Sequence, residues 1–145
     1  MLLQILKYPD PRLFTVAEDV LEDEIKSEHT KNIISDMFET MYVSNGIGLA
    51  ATQVNIHKRI IVMDHTGPER EAPIHLINPV VVDGSGNERY KEGCLSFPNV
   101  KVFMDRRRFV TISYFNCNGD RLQKNFYDIE AVCIQHEMDH LNGIT

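Results

Sequence analysis

Phe109-Val110-Thr111-Ile112-Ser113-Tyr114-Phe115, then Asn118-Gly119, then Leu122-Gln123-Lys124-Asn125-Phe126, then Asp128 onward to His136-Glu137-Met138-Asp139-His140: within this one stretch the pattern passes from strand to turn to strand to helix. The first run is almost wholly β-branched and aromatic, and Asn-Gly is a strong hairpin signal. Past it, Ile129, Val132, Cys133, His136 and His140 recur at helical spacing, with Asp128 placed to cap the helix and Gly143 to stop it. A hairpin running into a helix therefore forms the C-terminal quarter of the chain.

Upstream, Arg59–Met63, Ile74–Asn78 with Val80–Val82, and Val100–Phe103 are further short apolar runs bounded by turn residues, and they predict strands. A first helix is predicted from Asp23 to Tyr42, because Ile33, Ile34, Met37, Phe38 and Met41 share one face and Glu22, Asp23 and Glu24 suit a helix N-terminus. Asn45-Gly46 ends it, and the opening Tyr8-Pro9-Asp10-Pro11 reads as loop. Helix, strands, helix is an α+β order. The expectation is of mostly antiparallel strands packed around a C-terminal metal-binding helix, with one N-terminal helix.

At 145 residues and 43% hydrophobic content the chain suits one domain. Its 15 basic against 21 acidic residues give a net charge of −6, which argues against direct nucleic-acid binding, since that needs cationic surface. Nothing approaches the roughly 20 apolar residues of a membrane span, and Met1–Pro9 lacks the basic start of a signal peptide, so a cytoplasmic protein with no membrane partner is expected. The cysteines Cys94, Cys117 and Cys133 are odd in number and form no disulfide framework. Cys117 and Cys133 read as packing residues, with Cys133 close enough to His136 to line a site wall.

The chemistry concentrates in three clusters. His136-Glu137-Met138-Asp139-His140 is the pattern H-E-x-x-H, which on a helix stacks two imidazoles one turn apart with a glutamate between them. A catalytic metal takes three protein ligands and keeps one position open, so a third ligand is needed. Cys94 in Glu92-Gly93-Cys94-Leu95-Ser96 is the best candidate, where Gly93 permits close backbone approach. The third cluster, Gly46-Ile47-Gly48-Leu49-Ala50-Ala51-Thr52-Gln53, reads by itself as a close-packed turn or as a bare strand edge open to an extended peptide. His29, His57, His65 and His75 have no partner at ligand spacing and read as surface or packing residues.

Together the three clusters resemble the peptide deformylase family, whose signature is G-φ-G-φ-A-A-x-Q (φ apolar), E-G-C-φ-S and H-E-x-D-H in that order; all three occur without substitution. The resemblance runs from Ile5-Leu6-Lys7-Tyr8-Pro9-Asp10 onward. It implies that Cys94, His136 and His140 bind one divalent metal, typically ferrous iron in the family, with zinc, nickel or cobalt also accommodated; Cys and two His alone would suggest zinc. It implies removal of the formyl group from N-terminal formyl-methionine of nascent polypeptides, with release of formate. Glu137 is then general acid and base, and the Gln53 amide and Leu95 backbone N–H meet the oxyanion. Ile47 and Gly48 pair with the substrate backbone, and Tyr90, Gly93, Ile129, Val132 and Cys133 form the methionine pocket. Glu92, Arg106 and Asp139 steady the ligands, Arg107 and Arg108 belong to a solvated turn, and Lys101 is an exposed substrate contact.

Many bacterial members continue beyond the position of Thr145 into a C-terminal extension, often a helix tied to ribosome contact. Residues 1–145 are therefore expected to form a single catalytic domain without that extension, and ribosome contact is a partner that the resemblance implies. Two other readings share some of these residues. A zinc endopeptidase uses the same H-E-x-x-H chemistry but not a cysteine ligand in E-G-C-L-S. A non-catalytic metal-stapled binding module would keep its properties without Glu137.

Overall fold

In the computed structural model, which describes Met1–Ile144, strand β2 (Ile60–Met63) is buried along its whole length. Alternate side chains on a strand point to opposite faces. Ile61 and Met63 pack with Ala131, Cys133, Ile134 and Leu141, whereas Ile60 and Val62 pack with Ile34, Met37 and Met41. The first group lies on helix α2 (Asp128–Leu141) and the second on helix α1 (Glu28–Val43). A helix covers each face at this point, which is why the strand reads Ile-Ile-Val-Met rather than alternating with polar residues. Thr145, where the sequence reading ends the domain, lies outside the described residues.

The main sheet runs β1 (Gly48–Ala50), β2, β3 (Ile74–Ser85), β6 (Phe109–Phe115), β7 (Arg121–Tyr127), all neighbours antiparallel. Strands β4 (Glu88–Cys94) and β5 (Phe97–Arg106) form a separate two-stranded ribbon. This is the expected α+β architecture, with an N-terminal helix and mostly antiparallel strands around the C-terminal one.

Local details depart from the sequence reading. Helix α1 starts at Glu28, not Asp23, because Ser27 caps it by accepting from Thr30 N–H, and the Ser27 and Thr30 hydroxyls both donate to the Glu24 carbonyl, which closes the acidic segment into turns. The runs 74–78 and 80–82 form one strand, in which Asn78 adopts φ of +51° and Pro79 sits at a break in register. Strand β4 carries no β-branched residue and was not expected; pairing with β5 along its length holds it. Asp128 opens α2 but makes no side-chain cap: its carboxylate turns outward to Arg108.

Gly143 does end α2. Its φ is +75°, its N–H and that of Ile144 close back on the His140 and Asp139 carbonyls, and a Cβ there would stand 2.6 Å from the Phe14 carbonyl oxygen. These elements converge on one place. Edge strand β1 lies against α2, and β4 delivers Cys94 at the ribbon's turn.

Candidate active site

His136 and His140 project from the same side of α2, with their Nε2 atoms 3.2 Å apart. Cys94 meets them from β4, its Sγ 3.3 Å from His140 Nε2. One donor atom from each of the three lies within 4.8 Å of the others. Three lone-pair donors so close repel one another unless positive charge sits among them.

The protonation preferences fit a cation. Burial, together with the nearby charges of His136 and Arg106, lowers His140 to about 3, so its imidazole is neutral, the form that binds metal. Burial also acts to lower His136, but hydrogen bonds to Cys94 and Glu92 outweigh it and raise it to about 10. A divalent ion is the charge that three such donors suit. Buried Glu137 Oε1 has no hydrogen-bond partner among the described residues, as befits a group kept for a solvent molecule or substrate.

Glu137 stands beside the cluster on the side of β1. Burial raises its carboxyl to about 7, against the lowering influence of His136. Its neighbour on β1 is Gly48, where a Cβ would fall 2.7 Å from Glu137 Oε2 and 2.6 Å from Cys133 Sγ. Only a glycine lets strand and helix meet here. Gln53, in the one-turn 3-10 helix Ala51–Val54, is buried; its Oε1 accepts from Ala50 N–H at 3.0 Å, and its Nε2 lies 3.6 Å from Cys94 Sγ and 3.2 Å from Ser96 Oγ. A hollow of about 240 Å³ is lined together by Ile47, Gly48, Gln53, Gly93, Cys94, Leu95, His136 and Glu137.

Next to it opens a cavity of about 500 Å³, whose walls include Tyr90, Gly93, Ile129, Val132 and Cys133 with Ile47 at one side. Every residue expected in an apolar pocket borders it, although Ile129 is half exposed at the rim and the Tyr90 hydroxyl turns to Glu88 at 3.0 Å. Burial raises the Cys133 thiol, which remains protonated and donates to the Ile47 carbonyl at 3.7 Å.

On the far side, Arg106 holds both Glu92 oxygens at 2.9 and 3.0 Å and bonds Asp139, while Glu92 Oε1 reaches His136 Nδ1 at 3.0 Å. The other expectations sort simply. Lys101 pairs across from Gly93 on the ribbon and borders neither cavity. His57 bonds Asn55, His75 accepts from the Cys117 N–H and His65 Nδ1 lies 3.6 Å from Glu130, all away from the donor cluster, and exposed His29 lies on α1. Arg107 and Arg108 form the turn after β5, whereas Arg106 belongs to the strand.

Sequence reading placed the N-terminal segment in a loop and gave neither it nor the Ser96 side chain a role in the site. Leu6 N–H donates to the Gln53 carbonyl at 2.7 Å, Lys7 Nζ to the Leu95 carbonyl at 2.8 Å, and Tyr8 N–H to the Ser96 carbonyl at 2.9 Å. The motif E-G-C-L-S contained the only hint of Ser96, and nothing local signalled the strap.

Known proteins resemble this chain along nearly its whole length. A sequence model described as polypeptide deformylase matches residues 2–145. A peptide deformylase from Neisseria meningitidis is 48% identical over 143 residues, a match spanning 99% of this chain and 83% of that protein. The Met-Ala-Ser-bound crystal structure of a class I type b peptide deformylase from Acinetobacter baumannii superposes with a TM-score of 0.92 at 30% identity, covering 99% of this chain and 95% of that one. A peptide deformylase from Synechococcus elongatus in complex with actinonin gives a TM-score of 0.92 at 40% identity, with 97% and 76% covered. With the match running nearly end to end, the chain belongs to the polypeptide deformylase family and is an enzyme of that family, a metallo-hydrolase of linear amides.

Proposed function

We propose that this enzyme removes the formyl group from the N-terminal formyl-methionine of nascent polypeptides in the cytoplasm, with residues 1–145 acting as one catalytic domain. The observation that carries the reading is the shared hollow: Glu137, Gln53 and Leu95 surround the same space as Cys94 and His136, beside an apolar cavity of side-chain size. Cys94, His136 and His140 would hold one divalent ion, ferrous iron in the native enzyme, with zinc, nickel or cobalt as substitutes. When bound, such an ion acts as a Lewis acid and brings the pKa of water from about 15.7 towards 7.

Water adds to the formyl carbon and the C–N bond breaks, leaving a free methionine amine and formic acid, which ionises to formate. Glu137 takes the proton from the attacking water and returns it to the departing nitrogen. A carboxyl raised to about 7 suits a group that must accept and donate at neutral pH. Gln53 Nε2 and the Leu95 N–H are the donors for charge developing on the formyl oxygen. The substrate lies extended along the outer edge of β1 at Ile47 and Gly48, and its methionine side chain enters the cavity of Tyr90, Gly93, Ile129, Val132 and Cys133. Glu92, Arg106 and Asp139 act behind the ligands. Backbone pairing of this kind demands little of the residues that follow, as suits an enzyme of many nascent chains.

The test is formate release from formyl-Met-Ala by anaerobically prepared protein whose metal content is measured on the same sample. Formate with an intact peptide bond is expected. Cleavage of internal peptide bonds without formate would overturn the reading in favour of an endopeptidase, and metal binding without any turnover would favour a structural site.

A further inference from the structure

We propose that Ser96 is a positioning residue that aims the Gln53 side-chain amide at the substrate carbonyl, an inference that rests on the deformylase reading of the site. Both residues are buried, Ser96 at 0% exposure and Gln53 at 1%. The Gln53 carboxamide is held at both ends, Oε1 by Ala50 N–H at 3.0 Å and Nε2 by Ser96 Oγ at 3.2 Å. Its two ends are nearly alike in shape, so partners decide which way it faces. Ala50 N–H can only donate, which fixes Oε1 towards β1 and sends Nε2 towards the metal ligands. Ser96 Oγ then accepts one of the two amide hydrogens and leaves the other for the side of Cys94, whose Sγ is 3.6 Å away. A donor already set in direction needs no reorganisation when charge develops on the substrate oxygen.

Ser96 is itself anchored from outside the sequence motifs. Three consecutive residues tie the two proposed oxyanion donors together: Leu6 N–H bonds the Gln53 carbonyl at 2.7 Å, Lys7 Nζ the Leu95 carbonyl at 2.8 Å, and Tyr8 N–H the Ser96 carbonyl at 2.9 Å. The Tyr8 ring also stacks on Phe97 at 4.5 Å. With the Ser96 hydroxyl removed, the Gln53 amide is held only by the Ala50 N–H at Oε1, so its Nε2 gains freedom about the last torsion while the metal donors and the apolar cavity keep their places. The loss should therefore fall on kcat and not on KM.

A double-mutant cycle on metal-loaded protein with formyl-Met-Ala tests this. Ser96→Ala is expected to lower kcat about tenfold with KM, metal content and melting temperature little changed, and Gln53→Ala to lower it about a hundredfold. If Ser96 acts through Gln53, Ser96→Ala costs nothing further in the Gln53→Ala background. Two losses that multiply, or a Ser96→Ala enzyme with full kcat, would overturn the proposal. Ser96→Cys, close in volume and a weaker acceptor, carries the same cycle should the alanine variant not fold. Failure of the underlying deformylase reading is a separate result: the unmutated protein releases no formate.

Discussion

Glu92 Oε1 lies 3.0 Å from His136 Nδ1, and the same carboxylate accepts from Arg106 Nε and Nη2. The bond orients the imidazole with Nδ1 towards Glu92, leaving Nε2 for the ligand cluster. Burial opposes the charge on Glu92, yet the bonds from His136 and Arg106 win and hold its carboxyl down at about 2. Glu92→Gln should weaken metal retention about 10- to 100-fold, read by chelator competition. Arg106→Ala should do worse, because it strands a buried carboxylate; a loss of about 3–5 kcal/mol in denaturant melts is expected.

Gly48→Ala tests the close approach of β1 to α2. Its new methyl would sit 2.7 Å from Glu137 Oε2 and 2.6 Å from Cys133 Sγ, both on a helix whose position is fixed by the core. The soft side is the Glu137 side chain, so the carboxylate should be pushed from the hollow. Stability should fall by about 1–3 kcal/mol as for other overpacked sites. Formate release should fall far more than one mild destabilisation explains, with metal content retained.

Glu137→Gln separates catalysis from metal binding. The substitution keeps the shape and removes the proton acceptor. Turnover should drop by about 10²- to 10⁴-fold while the protein still takes up one equivalent of metal, measured by elemental analysis. Near-normal turnover would contradict the assignment of Glu137 as general base.

These groups differ in how far the sequence betrays them. His136, Glu137 and His140 were legible because a helix turns a spacing of four into adjacency, and Cys94 because its glycine-flanked motif is short. Strand β4 was not: Glu88-Arg89-Tyr90-Lys91-Glu92 has the composition of a solvated loop, and its partner β5 alone makes it a strand. Acidic residues at 22–24 imitate a helix N-terminus and misplace the start of α1, while the Ser27 cap and the bonds of the Ser27 and Thr30 hydroxyls to the Glu24 carbonyl decide the matter. The strap from Leu6 to Tyr8 spans separations of up to 88 residues, which no local pattern encodes.

Metal identity can be read through oxidation. Cys94 is partly exposed and would be bound as thiolate, the form that peroxide attacks. Iron-loaded protein should lose activity in air or peroxide within the time that nickel-loaded protein keeps it, followed by formate release and by mass spectrometry of Cys94. Equal sensitivity of both forms would remove iron as the cause.

Acid should loosen the turn behind Ile47. Asp64 is fully buried and accepts from the Tyr42 hydroxyl at 2.6 Å, from the Thr66 hydroxyl at 2.6 Å and its N–H at 3.0 Å, and from Ala72 N–H at 3.3 Å, while its own N–H holds the Ile47 carbonyl at 2.8 Å. Burial pushes its carboxyl up, but the bonds from Thr66 and Tyr42 outweigh burial and leave it below the ordinary 3.8. The folded state therefore holds the proton less well than the unfolded one. Asp64 contributes its full stabilisation above pH 3.8 and loses it as pH falls through the lower folded value. Asp64→Asn should be less stable than the parent at neutral pH, with the gap closing below pH 3.8 in denaturant melts taken across that range. A gap that stays constant with pH would mean that Asp64 acts there by shape and not by charge.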